Sequence, residues 1–359
     1  MTILSDYTHS TVCIPVDRAD EIVRTSPQTT WVRPYDYILV ASVTLTLFLW
    51  AVTGIPLSPF RPWLTGTVQR NLFYIFACVV LIAFVRSVMY VARGGRFRRR
   101  FLDATLVRHF GWRPLFGALR YIVLCSIVLT VYSSIKQAIP LINPHRYDDA
   151  LVAVERAVHF GWNPAWSLIA SNPPTWWLTF LDYAYYTWFP FMPMVAAYFL
   201  VHRNRAKRDR YFAAFMSVWI IADLIGLLIP SHGPCYVDPN TFPPTAMYLC
   251  SMTQDWLWMN YSALNEITLL GNGNMEFGCG LMAMPSLHVI VVGLYVTFLW
   301  DEGRWLRYLS IAYAALVLIG SVYSGWHYAI DGYVGFAIAF LVTWAVGKLP
   351  GAWRRPVGT

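Results

Sequence analysis

The sequence predicts an all-α polytopic membrane protein, from its composition, its apolar runs of bilayer length, and the confinement of its basic residues to short connections. Of 359 residues, 57% are hydrophobic and only 13% charged, with a mean hydropathy of +0.46. A soluble domain carries about 25% charged residues, so this chain has too few to coat a water-facing surface. Aromatics make up 17%, including 17 Trp, and amphipathic rings collect at membrane interfaces. The net charge of +8 would in isolation suggest nucleic acid. Its placement in loops between apolar runs argues against that partner.

A hydrocarbon core of about 30 Å takes about 20 apolar residues as helix. Eight runs fit, near 37–54, 70–92, 115–137, 176–201, 212–230, 286–301, 306–324 and 326–348. The last two are separated by almost nothing. The stretch 155–170 is apolar but short and broken by Gly161 and Pro164, so it reads as an interfacial helix or re-entrant segment. Residues 1–34 read as a weakly ordered tail. Asp6, Asp17, Asp20 and Glu21, with no apolar stretch among them, argue against a cleavable signal peptide.

Orientation follows from Lys and Arg in short loops. The loop 93–114 holds Arg93, Arg96, Arg98, Arg99, Arg100, Arg108 and Arg113, and the loop 202–211 holds Arg203, Arg205, Lys207, Arg208 and Arg210. Arg304 and Arg307 flank a short connection, and Lys348, Arg354 and Arg355 lie near the C-terminus. Eight spans place all four regions on one side with both termini, the expected cytoplasmic side. The long loops 138–175 and 231–285 then fall outside or in a lumen. Cys235, Cys250 and Cys279 lie in the second, where a disulfide between two of them is expected without the pair being fixed. Cys78 and Cys125 sit in apolar runs as small hydrophobes.

Chemistry gathers in two segments. In Met284-Pro285-Ser286-Leu287-His288, Ser286 is a candidate N-cap, and a helix start presents free N–H groups to an anion. His288 would face a phosphate held there; an interfacial histidine beside a cap is the plainer reading. In Gly-Trp-His327-Tyr-Ala-Ile-Asp331, the histidine and the acid are four apart, so they are expected on one helix face and in contact. A carboxylate accepting from one imidazole nitrogen leaves the other free as nucleophile or base; a structural His–Asp pair explains the spacing equally. Both helix starts open on the same face, so two histidines, one backed by an acid, converge there. One can attack while the other protonates a leaving oxygen.

These segments, PSLH and GWHYAID, resemble the second and third signature motifs of the type 2 phosphatidic acid phosphatase superfamily. The resemblance implies a six-helix membrane core over 115–348, preceded by two added helices and the basic loop at 35–114, with tails at 1–34 and 349–359. It implies His327 as a nucleophile forming a phosphohistidine, Asp331 as its partner, and His288 as general acid and base. Two departures stand out. Gly320 and Ser321 occupy the positions of the superfamily's usual Ser-Arg, so the phosphate-binding arginine is absent. In place of the first motif stands Ser231-His232-Gly233-Pro234-Cys235-Tyr236. The Gly-Pro-x-Tyr element resembles the inositolphosphotransferase branch, which includes inositol phosphorylceramide synthase. The segment from Lys136 to His145, Arg146 and Asp148 resembles a stretch that precedes the core in bacterial members.

Something must replace the missing cation. Lys136, Arg146, His145 and His232 are the candidates, although each is also readable as a solvated loop charge; Tyr236, Ser286 and Ser321 complete the expected phosphate environment. Asp182 is expected to contact the headgroup site or Arg146, and Asp223 to make an interhelical hydrogen bond. Tyr183, Tyr185, Tyr186, Trp188 and Phe189 either line a lipid groove or pack. The expected activity is transfer of a phosphate-bearing group to or from a lipid. A lipid or sugar alcohol as acceptor makes the protein a headgroup phosphotransferase; water makes it a lipid phosphate or polyprenyl (di)phosphate phosphatase. Neither metal nor cofactor is expected, because no carboxylate cluster would hold one. A transporter would instead show charges along a spanning path and inverted repeats, and neither is visible; a catalytically dead scaffold sits poorly with retention of both histidines and the acid.

Overall fold

The computed structural model describes residues 33–53, 60–92, 112–263 and 279–349. Most of the expected N-terminal tail, nearly all of the basic loop 93–114 and the C-terminal tail lie outside the described residues. Thirteen helices are described: α1 (Pro34–Thr53), α2 (Phe60–Ala92), α3 (Trp112–Ile142), α4 (Asp148–Val158), α5 (Pro164–Ala170), α6 (Thr175–Tyr186), α7 (Trp188–Leu200), α8 (Arg205–Leu228), α9 (Pro234–Val237), α10 (Tyr248–Ser262), α11 (Leu287–Leu299), α12 (Arg304–Tyr323) and α13 (Ala329–Lys348). Six of them, α1, α2, α3, α8, α12 and α13, are long and apolar enough to cross a membrane. The chain is an all-α polytopic membrane protein.

The other two expected spans take different forms. The run 176–201 is divided into α6 and α7 at Thr187. Pro190 explains the break: it has no N–H to give the Tyr186 carbonyl, and its ring would clash with that carbonyl in a continuous helix. Thr187 stabilises the corner, its hydroxyl donating to the Ala184 carbonyl at 2.6 Å. The run 286–301 becomes α11, which is apolar all round and buried along nearly its whole length, the signature of a helix enclosed by others. It packs between α8, α12 and α13. The interfacial stretch is two helices, α4 and α5, parted by Gly161 and Pro164, and α4 begins at Asp148, earlier than expected.

Small residues set the spacing around α11. A Cβ on Gly293 would lie 2.7 Å from Cβ of Ala339, and one on Gly335 would lie 3.0 Å from the Ser286 carbonyl oxygen. Close approach of α13 to α11 therefore brings the two helix starts, with His288 and His327, side by side. The expected disulfide does not form. Cys235, Cys250 and Cys279 are separate buried thiols. Each is fixed by its own neighbours: the Cys235 N–H donates to the Gly325 carbonyl and the Cys250 N–H to Asp182, while the backbone after Cys279 abuts the Lys136 carbonyl.

Gly293→Ala tests this packing. The added methyl has no room without moving α13, so thermal unfolding in detergent should show a loss of about 1–3 kcal/mol; unchanged stability would mean that the α11–α13 crossing is looser than described.

Candidate active site

His327 does not lie on the face of α13. It sits one residue before the N-cap Tyr328, in the link that follows α12. Its backbone N–H donates to the Ser321 carbonyl at 3.2 Å. Its ring Nδ1 lies 2.8 Å from the carbonyl oxygen of Ala283 and 3.6 Å from Oδ2 of Asp331. A carbonyl can only accept, so Nδ1 carries the hydrogen and Nε2 keeps its lone pair. The expected contact with Asp331 is present at 3.6 Å, but the shorter bond from Nδ1 goes to the Ala283 carbonyl. Asp331 is the N3 residue of α13 and accepts from the Tyr328 N–H at 2.9 Å, as the acid of a capping box does. It supports the ring from beside, and Ala283 fixes the tautomer.

His288 occupies the first turn of α11. Its ring centroid is 5.9 Å from that of His327, close enough for both rings to reach one group held between them. The end of α6 and the start of α7 supply the surrounding wall: Tyr185 at 4.8 Å, Trp188 at 4.4 Å and Phe189 at 6.3 Å. Ser286 is the N-cap by position, but its hydroxyl caps nothing. That oxygen is buried without a partner among the described residues. It belongs to the N-cap residue of α11, a helix start whose first-turn N–H groups lack helical acceptors.

Of the expected cations, Lys136 comes nearest. It is half-buried near the C-terminal end of α3 and is an electrostatic neighbour of His288. Its Nζ rests 5.9 Å from the Tyr132 ring centroid, and it forms no ion pair among the described residues. Arg146 and His145 are exposed, and His145 bonds only locally, to Asn143. His232 is buried beside the Tyr261 hydroxyl at 2.9 Å; burial, more than the nearby Arg146, lowers its pKa and Asp148 opposes the shift. Tyr236 stacks on Trp258 at 5.2 Å. The Ser321 hydroxyl turns back to the Leu318 carbonyl at 2.7 Å, so only its backbone serves His327.

Two acids depart from expectation. Asp182 accepts from the N–H groups of Leu249 at 2.8 Å and Cys250 at 3.0 Å. It caps the start of α10, and no ion pair with Arg146 is formed among the described residues. Asp223 makes no interhelical hydrogen bond: both of its buried oxygens lack a partner among the described residues, with Lys136 as its charge neighbour.

Two other acids, to which the sequence assigns no role of their own, support the site. Asp148 and Glu155, both on α4, are buried. Asp148 accepts from the N–H groups of His232 and Gly233 and from the Tyr328 hydroxyl. Glu155 accepts from the Ala329 N–H at 2.6 Å, capping α13 beside His327. Their seven-residue spacing on an amphipathic helix was the available signal, since i and i+7 share a face. The turns they brace need glycine. Gly233 has φ +97° and Gly325 φ +74°, and a Cβ on Gly233 would lie 2.5 Å from the Trp326 carbonyl oxygen.

The family model described as the PAP2 superfamily matches residues 149–345, more than half of the chain. The match spans α5–α12 and nearly all of α4 and α13. No curated protein and no solved structure matched the chain.

Burial pushes the Glu155 carboxyl up to about 7, against the opposing Ala329 N–H. The folded protein therefore holds a proton that the unfolded chain has already released, and stability should fall as pH rises from about 4.5 towards about 7. Glu155→Gln should flatten that slope, removing up to about 3 kcal/mol of pH dependence. Thermal unfolding across the window reads it; an identical slope in both proteins would exclude Glu155 as the titrating group.

Proposed function

Because this chain belongs to the PAP2 superfamily, we propose that it transfers a phosphate-bearing group from a lipid through a phosphohistidine at His327. The observation that carries this reading is the arrangement of the two rings. His327 Nδ1 is tied to the Ala283 carbonyl at 2.8 Å, and His288 lies across a 5.9 Å centroid separation. In the first step Nε2 attacks phosphorus, the bond from phosphorus to the leaving oxygen breaks, and His288 gives that oxygen its proton. In the second step His288 takes the proton of an acceptor hydroxyl. The new P–O bond forms as the P–N bond breaks, which returns both histidines to their starting states.

Charge must be matched where the superfamily's arginine is missing. Lys136 is the proposed clamp, helped by the first-turn N–H groups of α11 and the uncommitted Ser286 hydroxyl. Aromatic walls around His288 keep water away and strengthen these interactions. The Gly-Pro-x-Tyr element at 233–236 and the replaced arginine favour the inositolphosphotransferase branch, with a lipid or sugar alcohol as acceptor. The basic connections, opposite in chain order to the helix ends that carry the histidines, favour an extracytoplasmic or lumenal site with cytoplasmic termini.

The decisive experiment incubates detergent-purified protein with labelled lipid phosphates and diphosphates, with and without a lipid alcohol. Label moving to the alcohol supports transfer, whereas inorganic phosphate alone would establish a phosphatase. An acid-labile phosphohistidine should be trapped at His327. His327→Ala should abolish it and lower turnover by at least roughly 10³-fold; label persisting in His327→Ala would sink the mechanism. Lys136→Ala should cost about 10–100-fold in kcat/KM, the loss of a hydrogen bond to a charged group. Unchanged turnover would remove Lys136 as the clamp.

A further inference from the structure

We infer that Asp148 is a positioning residue for His327, holding the ring from two directions without touching the reacting groups; this rests on the reading of His327 as nucleophile. Asp148 is only 6% exposed and forms no ion pair among the described residues. Instead its carboxylate collects hydrogen-bond donors. The His232 N–H reaches both oxygens at 3.1 Å, the Gly233 N–H reaches Oδ1 at 2.9 Å, and the Tyr328 hydroxyl reaches Oδ1 at 3.0 Å. A buried carboxylate is costly unless hydrogen-bonded, so the three donating groups fix it and it fixes them.

Both sets of donors lead to the His327 ring. Tyr328 is the next residue in the chain, and its N–H is held in turn by Asp331. His232 follows Ser231, whose carbonyl accepts from the Ala283 N–H at 2.9 Å and whose hydroxyl accepts from the Met284 N–H at 3.0 Å. Ala283 then offers its carbonyl to His327 Nδ1. Asp148 is therefore the shared anchor of the loop that sets the tautomer and of the residue beside the nucleophile. It lies just outside the segment matched by the superfamily model, which begins at 149.

Asp148→Asn keeps the size but puts an NH₂ where only acceptors fit. The loop should shift and the Nδ1–H···O=C bond should lengthen. We expect the rate constant for phosphorylating His327 to fall about 10–100-fold, as sub-ångström to 1 Å misplacements do, with KM for the donor lipid little changed. A weaker bond stabilises the imidazolium less, so the acid limb of the pH–rate profile should move to lower pH. Tyr328→Phe, which removes one donor only, should move both readouts the same way by less, and it serves if Asp148→Asn fails to fold. Asp149→Asn, an exposed carboxylate at the next position, should match the wild type. Independently of turnover, the ¹⁵N resonances of His327, assigned by comparison with His327→Gln, should change in both Asp148→Asn and Tyr328→Phe. Folded variants with the wild-type rate, acid limb and ¹⁵N shifts would overturn the inference. A wild-type protein that forms no phosphohistidine and turns over no lipid phosphate would overturn the proposed function instead, and the ¹⁵N comparison would still decide the role of Asp148.

Discussion

The hydrogen bond from His327 Nδ1 to the Ala283 carbonyl, 2.8 Å long, constrains much of the surrounding structure. It only works if two loops from distant parts of the chain hold their places to within a few tenths of an ångström. The Ala283 loop is pinned by Ser231, and the His327 link by Ser321 and by the caps of α13. Close backbone approach is what the glycines permit: at Gly233 a side chain would collide with the Trp326 carbonyl. Loops of this kind are affordable near a bilayer only when each buried polar group is satisfied. The buried acids of α4 satisfy several of them.

The helices explain why the loops meet. α11 is enclosed by α8, α12 and α13, and glycines on α11 and α13 let their axes close up. The starts of both helices therefore sit together, and each carries a histidine. The broken span adds the third side. Pro190 forces the chain to turn at Thr187, and the residues flanking that turn, Tyr185, Trp188 and Phe189, form the wall around His288. Their spacing of i, i+3 and i+4 puts all three rings on one side, the side that faces His288.

The sequence made much of this legible. Composition and run length announced the membrane helices, and residue types with their spacing singled out His288, His327 and Asp331. What it could not convey is contact across the chain. The spacing of four between His327 and Asp331 suggests a helix face, yet helix α13 begins after His327, and only the fold reveals that a main-chain carbonyl is the acceptor. Main-chain groups have no residue letter to read. Asp182 looked functional because acids are rare in apolar runs, but it answers the open N–H groups of α10. Asp148 and Glu155 were passed over because acids in an extramembrane loop look solvated until the partner loops are known.

Charge balance carries the last step. Two helix starts converge, and either could in principle receive an anion. The first N–H groups of α13, however, are already taken by carboxylates, Tyr328 N–H by Asp331 and Ala329 N–H by Glu155. With Asp148 close by, that side holds three buried acids, and Glu155 eases the repulsion by keeping a proton up to about pH 7. A phosphate would be repelled there. The start of α11 is the opposite case, with an unpartnered serine hydroxyl and Lys136 among the electrostatic neighbours of His288. The two helix starts thus divide the work. One, loaded with acid, orients His327; the other, left open and near a lysine, is where the proposed phosphate belongs. On the proposed reading, Lys136 of α3 would stand in for an arginine at 321, and its own acid neighbour is Asp223, away from the three acids that hold the start of α13.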